Sequence, residues 1–194
     1  MVKKLVLLAV LALALPLAAF ADSSIGVSNK GGTISGNSSG LSLTGSAMIA
    51  YGSIVGSNLG SVSFTTGAFV TGDAQNGGTL AGGGSFVITG NGTNGVPSGV
   101  LFSGTFDSGA TWTMTTLSNG THNYLLTGTL TGSNGTVGTT VQLTLNTGKG
   151  FFNGSAPLES GDTSLTVPEP GTLSLLGTGL IGIAGAIRRK LSLS

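Results

Sequence analysis

Apolar and polar residues alternate with a period of two along the middle of this 194-residue chain. Ser61-Val62-Ser63-Phe64-Thr65, Thr111-Trp112-Thr113-Met114-Thr115 and Val141-Gln142-Leu143-Thr144-Leu145 all follow it. That period turns one face of an extended strand to a core and the other to water. Phe86-Val87-Ile88 and Val100-Leu101-Phe102 are unbroken apolar runs and read as more fully buried strands. Between the runs fall Asn91-Gly92, Asn94-Gly95, Asn119-Gly120 and Asn134-Gly135, each able to supply the positive φ of a tight turn. The pattern predicts that Trp112–Thr116 pairs with His122–Thr127 across Asn119-Gly120. It also predicts that Tyr124–Leu130 pairs with Val137–Asn146 across Asn134-Gly135. The middle of the chain has no helical period. The expected fold is therefore all-β, an antiparallel β-sandwich-like domain over residues 22–154.

Three pentapeptides share one form: Gly32-Thr33-Ile34-Ser35-Gly36, Gly78-Thr79-Leu80-Ala81-Gly82 and Gly128-Thr129-Leu130-Thr131-Gly132. Regular repeats mark stacked architectures, so a β-solenoid is the alternative fold. The segments between them do not match, which favours a recurring strand-edge pattern. The outward positions carry Thr, Ser and Asn rather than Lys and Glu. Such strands are weakly guarded against edge pairing, which suggests self-association. From Ser155 to Thr166 the alternation stops, and Pro157, Glu159, Gly161 and Asp162 read as a flexible spacer.

Both ends are apolar in another way. Lys3 and Lys4 precede the run Leu5–Leu15, Pro16 breaks it, and Ala19-Phe20-Ala21 is a small-x-small site. Residues 1–21 thus read as a signal peptide helix cut before Asp22, with Ala19 and Ala21 as the cleavage signature. Near the other end, Thr172–Ile187 carries no charge. As a helix it spans about 24 Å, slightly less than the roughly 30 Å hydrocarbon core. A transmembrane helix over 171–187 is expected, with Arg188, Arg189 and Lys190 as a stop-transfer cluster held in the cytoplasm. Pro168-Glu169-Pro170 then lies on the outer side, kept extended by its prolines. Ser174, Thr178, Gly182 and Ala186 recur every four residues, a spacing that lets another helix approach closely.

Charge narrows the partners. Apart from Lys30 and Lys149, every cationic residue lies in the terminal segments, whereas the acidic residues are Asp22, Asp73, Asp107, Glu159, Asp162 and Glu169. The exported part is net acidic and has no face able to neutralise phosphates, so nucleic acid is excluded. There is no cysteine. The fold must stand on packing and backbone hydrogen bonds although export would permit disulfides.

Catalytic and metal chemistry find little to use. His122 is the one histidine and follows a turn, where exposure is expected. Gly36-Asn37-Ser38-Ser39-Gly40 fits the Gly-x-Ser-x-Gly pattern, but no helix follows as a nucleophile elbow requires. Gly90 to Gly95 fits a dinucleotide fingerprint, yet Val96-Pro97 stands where a helix would start. One histidine without cysteine rules out ordinary zinc sites. Asp73, Asp107, Glu159 and Asp162 are the carboxylates available for calcium or for glycoside hydrolysis, and two of them fall in the expected spacer. No catalytic residue, metal site or cofactor is assigned, and the chain is not expected to be an enzyme. Asn37, Asn91, Asn119, Asn134 and Asn153 head Asn-x-Ser/Thr sequons and are candidate glycan acceptors. Trp112, Phe102, Phe106 and Tyr124 are candidates for a sugar-stacking platform, the alternative being that they are core.

The tail carries a resemblance. Val167, Pro168, Glu169 and Pro170, the apolar run Gly171–Ile187, and Arg188-Arg189-Lys190 at the extreme C-terminus together resemble the PEP-CTERM sorting tail. The resemblance covers residues 167–194, with Leu191–Ser194 extending past the basic cluster more than is usual. It implies recognition by an exosortase, an intramembrane cysteine transpeptidase, and loss of the tail during sorting to the surface of a Gram-negative bacterium that makes exopolysaccharide. The expected function is an exported surface or extracellular-matrix structural protein, associated with exopolysaccharide or biofilm. The alternative is a carbohydrate-binding module for that polysaccharide, favoured if Trp112 or Tyr124 is exposed beside Asn or Asp and weakened if both are buried. The expected route is export through the inner membrane, transient anchoring by the tail, then the cell surface or medium.

Overall fold

Side chains of Asn and Asp set the turns. Oδ1 of Asn37, Asp73, Asn91, Asn119 and Asn146 each accepts the backbone N–H two residues on. This arrangement folds the chain back without help from the core. A computed structural model describes residues 23–133, 136 and 139–167. The strands between the turns are β1 (Ser23–Lys30), β2 (Thr33–Asn37), β3 (Gly40–Tyr51), β4 (Ile54–Thr65), β5 (Phe69–Asp73), β6 (Gly77–Leu80) and β7 (Gly83–Asn91). They continue as β8 (Ser98–Phe106), β9 (Ala110–Thr116), β10 (His122–Gly132), β11 (Thr139–Asn146), β12 (Ser155–Pro157) and β13 (Ser160–Val167).

Both predicted hairpins form. β9 pairs with β10 from His122↔Thr116 to Thr127↔Thr111, and β10 with β11 from Asn123↔Asn146 to Leu130↔Thr139. Every described register is antiparallel, which overturns the solenoid alternative. A sandwich would hold two sheets. Here all thirteen strands among the described residues belong to one sheet. Its pairings run β1-β3-β4-β7-β8-β10-β11-β13 and return to β1, a closed circuit of eight strands. Two flaps branch from it: β9-β6-β5 beside β10, and β2-β12 beside β3. The branching follows from long, bent strands. β3 pairs with β2 over Gly40–Thr44 and with β1 over Ala47–Tyr51. β10 pairs with β9 over its first half and with β8 over Leu130–Gly132.

The segment expected to be a spacer is instead structural. β12 pairs with β2, β13 pairs with β11 over Ser160–Thr144 to Ser164–Thr140, and Leu158 and Leu165 are buried. Gly161 and Thr163 occupy inward positions where an apolar residue would have revealed the period. The β domain therefore runs to Val167. Val100-Leu101-Phe102 is likewise not buried on both faces: Val100 points outward, 66% exposed, while Phe102 is in the core. Phe86 and Ile88 are buried and Val87 is half-buried.

The alternating positions converge on one core. Phe64 stacks on Phe86 at 5.9 Å, and Phe106 meets both rings edge-on at 5.6 and 5.8 Å. Room for Phe102 comes from glycines facing it: a Cβ on Gly104 or Gly132 would lie 2.9 or 3.0 Å from its ring. Such large–small pairing fills the interior of a small closed sheet. The apolar centres of the three pentapeptides, Ile34, Leu80 and Leu130, are all fully buried, each on a different strand. The recurring pentapeptide is thus a strand pattern.

Candidate functional site

The two flaps face each other across a groove of about 390 Å³. One wall is the β5–β6 turn. Oδ1 of Asp73 accepts the amides of Gln75 at 2.8 Å and Asn76 at 2.7 Å, and Nδ2 of Asn76 donates to both Asp73 oxygens. The Asn76 side chain, followed by these turn amides, holds the Asp73 carboxyl below its ordinary value. The other wall is the β2–β3 turn with the segment before β12. Asn37 Oδ1 accepts the Ser39 amide at 2.7 Å, and Gly36 N donates to Gly154 O at 2.9 Å.

Two buried aromatic residues fasten these separate segments together. Trp112 Nε1 donates to Ala74 O at 2.8 Å, and Tyr124 Oη donates to Gln75 O at 2.6 Å. The Tyr124 hydroxyl also accepts the Phe152 amide at 2.9 Å. The Trp112 and Tyr124 rings stack at 5.2 Å, with Phe152 5.8 Å from each. Trp112 and Tyr124 are thus core by body and scaffold by polar tip. On this base the groove is lined by Asn37, Ser38, Phe69, Asp73, Gln75 and Asn153, with Ala74 and Phe152 also in its wall. The carboxamides of Gln75 and Asn153 bond to no protein group, and Phe69 is half-buried. No Lys or Arg lines it.

The remaining candidates are dispersed. His122 is buried rather than exposed, because Phe151 stacks over its ring at 4.3 Å and Thr116 Oγ1 lies 3.0 Å from Nδ1. Asp107 accepts the hydroxyls of Thr129 and Thr131, which lower its pKa, and Asp162 accepts that of Ser28. Glu159 is exposed. Among the described residues no three His, Asp or Glu side chains gather as a metal site would need. Gly36–Gly40 is the β2–β3 hairpin and Gly90–Gly95 the β7–β8 connection. Phe102, Phe106, Trp112 and Tyr124 are all buried and form no sugar platform. Asn37 and Asn91 are exposed at the ends of β2 and β7, and Asn119 and Asn153 are exposed in connections between strands. Asn134, Ala19, Ala21, Pro168, Glu169, Pro170, Arg188, Arg189 and Lys190 lie outside the described residues, as do the expected signal peptide and transmembrane helix. Val167 is the last residue of β13.

Sequence reasoning missed Phe69, Gln75 and Phe152. The available signal was Asp73-Ala74-Gln75-Asn76-Gly77, an Asp-headed turn ending in Asn-Gly.

Comparison with known proteins identifies one element. Residues 166–190 match the PEP-CTERM protein-sorting motif. No other family is recognised in the chain, and neither a curated protein nor a solved structure matches it.

Proposed function

We propose that this chain is a non-enzymatic structural protein of the cell surface or extracellular matrix, delivered there by an exosortase-type membrane transpeptidase and associated with exopolysaccharide. The observation that carries this reading is the sorting motif at residues 166–190, which begins at the last residues of β13. A motif of this kind is a receptor-read address. Among the described residues, the histidine is covered by Phe151, and Asp73, Asp107 and Asp162 accept hydrogen bonds from turn amides and strand hydroxyls, which supports the structural reading. Its outward strand positions are mainly Thr, Ser and Asn, a neutral polar surface suited to a hydrated matrix.

Self-association, if it contributes to the matrix, has little edge to use. The circuit of eight strands is closed, and the flaps end in β5, of five residues, and β12, of three. Short edges are poor templates for pairing. Contacts between copies would run through strand faces.

The test is fractionation and intact mass of the protein in cells with and without a functional exosortase. Enzyme-dependent release to the surface, with the C-terminus ending near Pro168–Gly171, is the expected result. A full-length chain in the membrane of both strains would overturn the reading.

A further inference from the structure

We infer that the groove between the flaps is a binding site for a neutral saccharide, a proposal that rests on the matrix reading above and gives it a contact point. The chemistry of the lining selects the ligand class by elimination. A cation would need several free oxygens, but the lining has one carboxylate, Asp73, already accepting four hydrogen bonds. An anion would need Lys, Arg or a helix terminus, and none lines the groove. A purely apolar ligand would leave the carboxamides of Gln75 and Asn153 without a partner.

What remains is a neutral molecule rich in hydroxyls. The carboxamides of Gln75 and Asn153, and Nδ2 of Asn37, have no protein partner. A carboxamide donates and accepts side by side, matching the paired donor–acceptor character of vicinal hydroxyls. The Ser38 hydroxyl adds a rotatable donor, and half-buried Phe69 offers an apolar surface for the C–H face of a sugar ring. The volume is within the range of small-ligand sites.

The walls are also fixed in advance. Two backbone carbonyls of the β5–β6 turn are held by Trp112 and Tyr124, and Tyr124 holds the Phe152 amide in turn. The backbone that carries Gln75 and Phe152 therefore need not be ordered on binding, which leaves only side-chain entropy to be lost. An extended peptide fits less well. The β5 ladder slips between Phe69 and Thr71, Gly72 has φ 68°, and β12 is three residues long and ends in Pro157. No regular edge remains for a peptide to extend.

Trp112 is the only tryptophan and bonds directly beneath the groove, so its fluorescence reports on occupancy. The full chain, exported and held in detergent, is titrated with cellohexaose, maltohexaose, the β-1,4-linked N-acetylglucosamine hexamer, an oligouronate and an extended Thr/Val-rich peptide. A saturable change with at least one neutral hexasaccharide is expected, with a Kd between about 10 μM and 1 mM. Gln75→Ala with Asn153→Ala should weaken it about tenfold or more, while Thr105→Ala on the exposed face of β8 leaves it unchanged. No response to any neutral probe at about 10 mM overturns the proposal. So does equal binding by the double variant, or a response to the oligouronate or the peptide alone. The sorting test above does not depend on this titration, so either can fail without the other.

Discussion

Ser28 Oγ donates to Asp162 Oδ1 at 2.6 Å, joining the first strand to the last. The contact lies on the outer face of the seam that closes the circuit. Behind it the seam is polar: Asn29 Nδ2 donates to Ser46 Oγ at 2.7 Å, but Asn29 Oδ1 and Thr163 Oγ1 are buried without a partner. An unpaired buried polar group costs about 1–3 kcal/mol. The seam is therefore the place where the closed sheet opens first. Amide exchange should be faster in β1 and β13 than in β4 and β7, where Phe64, Phe86 and Ile88 interlock. Uniform exchange over all four strands would contradict this.

Thr163→Val tests the same seam energetically. It keeps the side-chain shape and removes the unpartnered hydroxyl, so stability should rise by about 1 kcal/mol in a urea titration. Gly161→Ala should do the opposite. A Cβ there would strike the Leu143 side chain and lie 2.6 Å from Asn29 Oδ1, a clash expected to cost about 1–3 kcal/mol.

Trp112→Phe should loosen the groove without emptying the core. The ring remains, but the Ala74 carbonyl loses its Nε1–H donor. A loss of about 1–2 kcal/mol is expected. A local rise in amide exchange over residues 74–76 should accompany it. A stability loss with no change in that turn would show that Trp112 acts only through packing.

These features differ in how far the sequence revealed them. The β9–β10–β11 meander was legible because Asn119-Gly120 and Asn134-Gly135 sit between alternating runs, and hairpins are local. β13 was hidden, since its inward positions begin with Gly161 and Thr163 while Pro157 and Asp162 imitate loop chemistry. Ring closure joins residues 134 apart, as Ser28 and Asp162 are, and no local pattern encodes that. The groove was illegible for the same reason. Asn37 read as part of a failed nucleophile elbow, Asp73 as a lone carboxylate and Asn153 as a sequon, and only folding gathers them.

Acid should weaken the fold through Asp73 and Asp107. Hydrogen bonds from Asn76 and the turn amides lower the first pKa, and the hydroxyls of Thr129 and Thr131 lower the second, both from 3.8. A pKa lower in the folded than in the unfolded state adds stability above the unfolded value. That stability is lost as pH falls through the folded value. Carbon-13 titration of the two carboxyls should give midpoints below 3.8 in the folded protein. The Asp73→Asn and Asp107→Asn pair should flatten the dependence of stability on pH below that point. Midpoints at or above the ordinary value would sink the assignment.

The end of β13 limits where the proposed processing could remove the tail. Val167 closes the strand that pairs with β11 and neighbours β1, and the sorting motif starts one residue earlier, at Thr166. Cleavage after Val167 leaves the circuit whole. Cleavage within Ser160–Val167 removes part of the closing strand, including buried Leu165. Truncation of that core residue alone costs about 2–5 kcal/mol, a large share of the stability of a domain this size. A chain ending at Val167 should melt cooperatively and keep the Ser28–Asp162 contact. A chain ending at Glu159 should lose that cooperative transition and become sensitive to protease across β1. Equal melting of the two chains would show that β13 is dispensable and would return residues 155–166 to the role of a spacer.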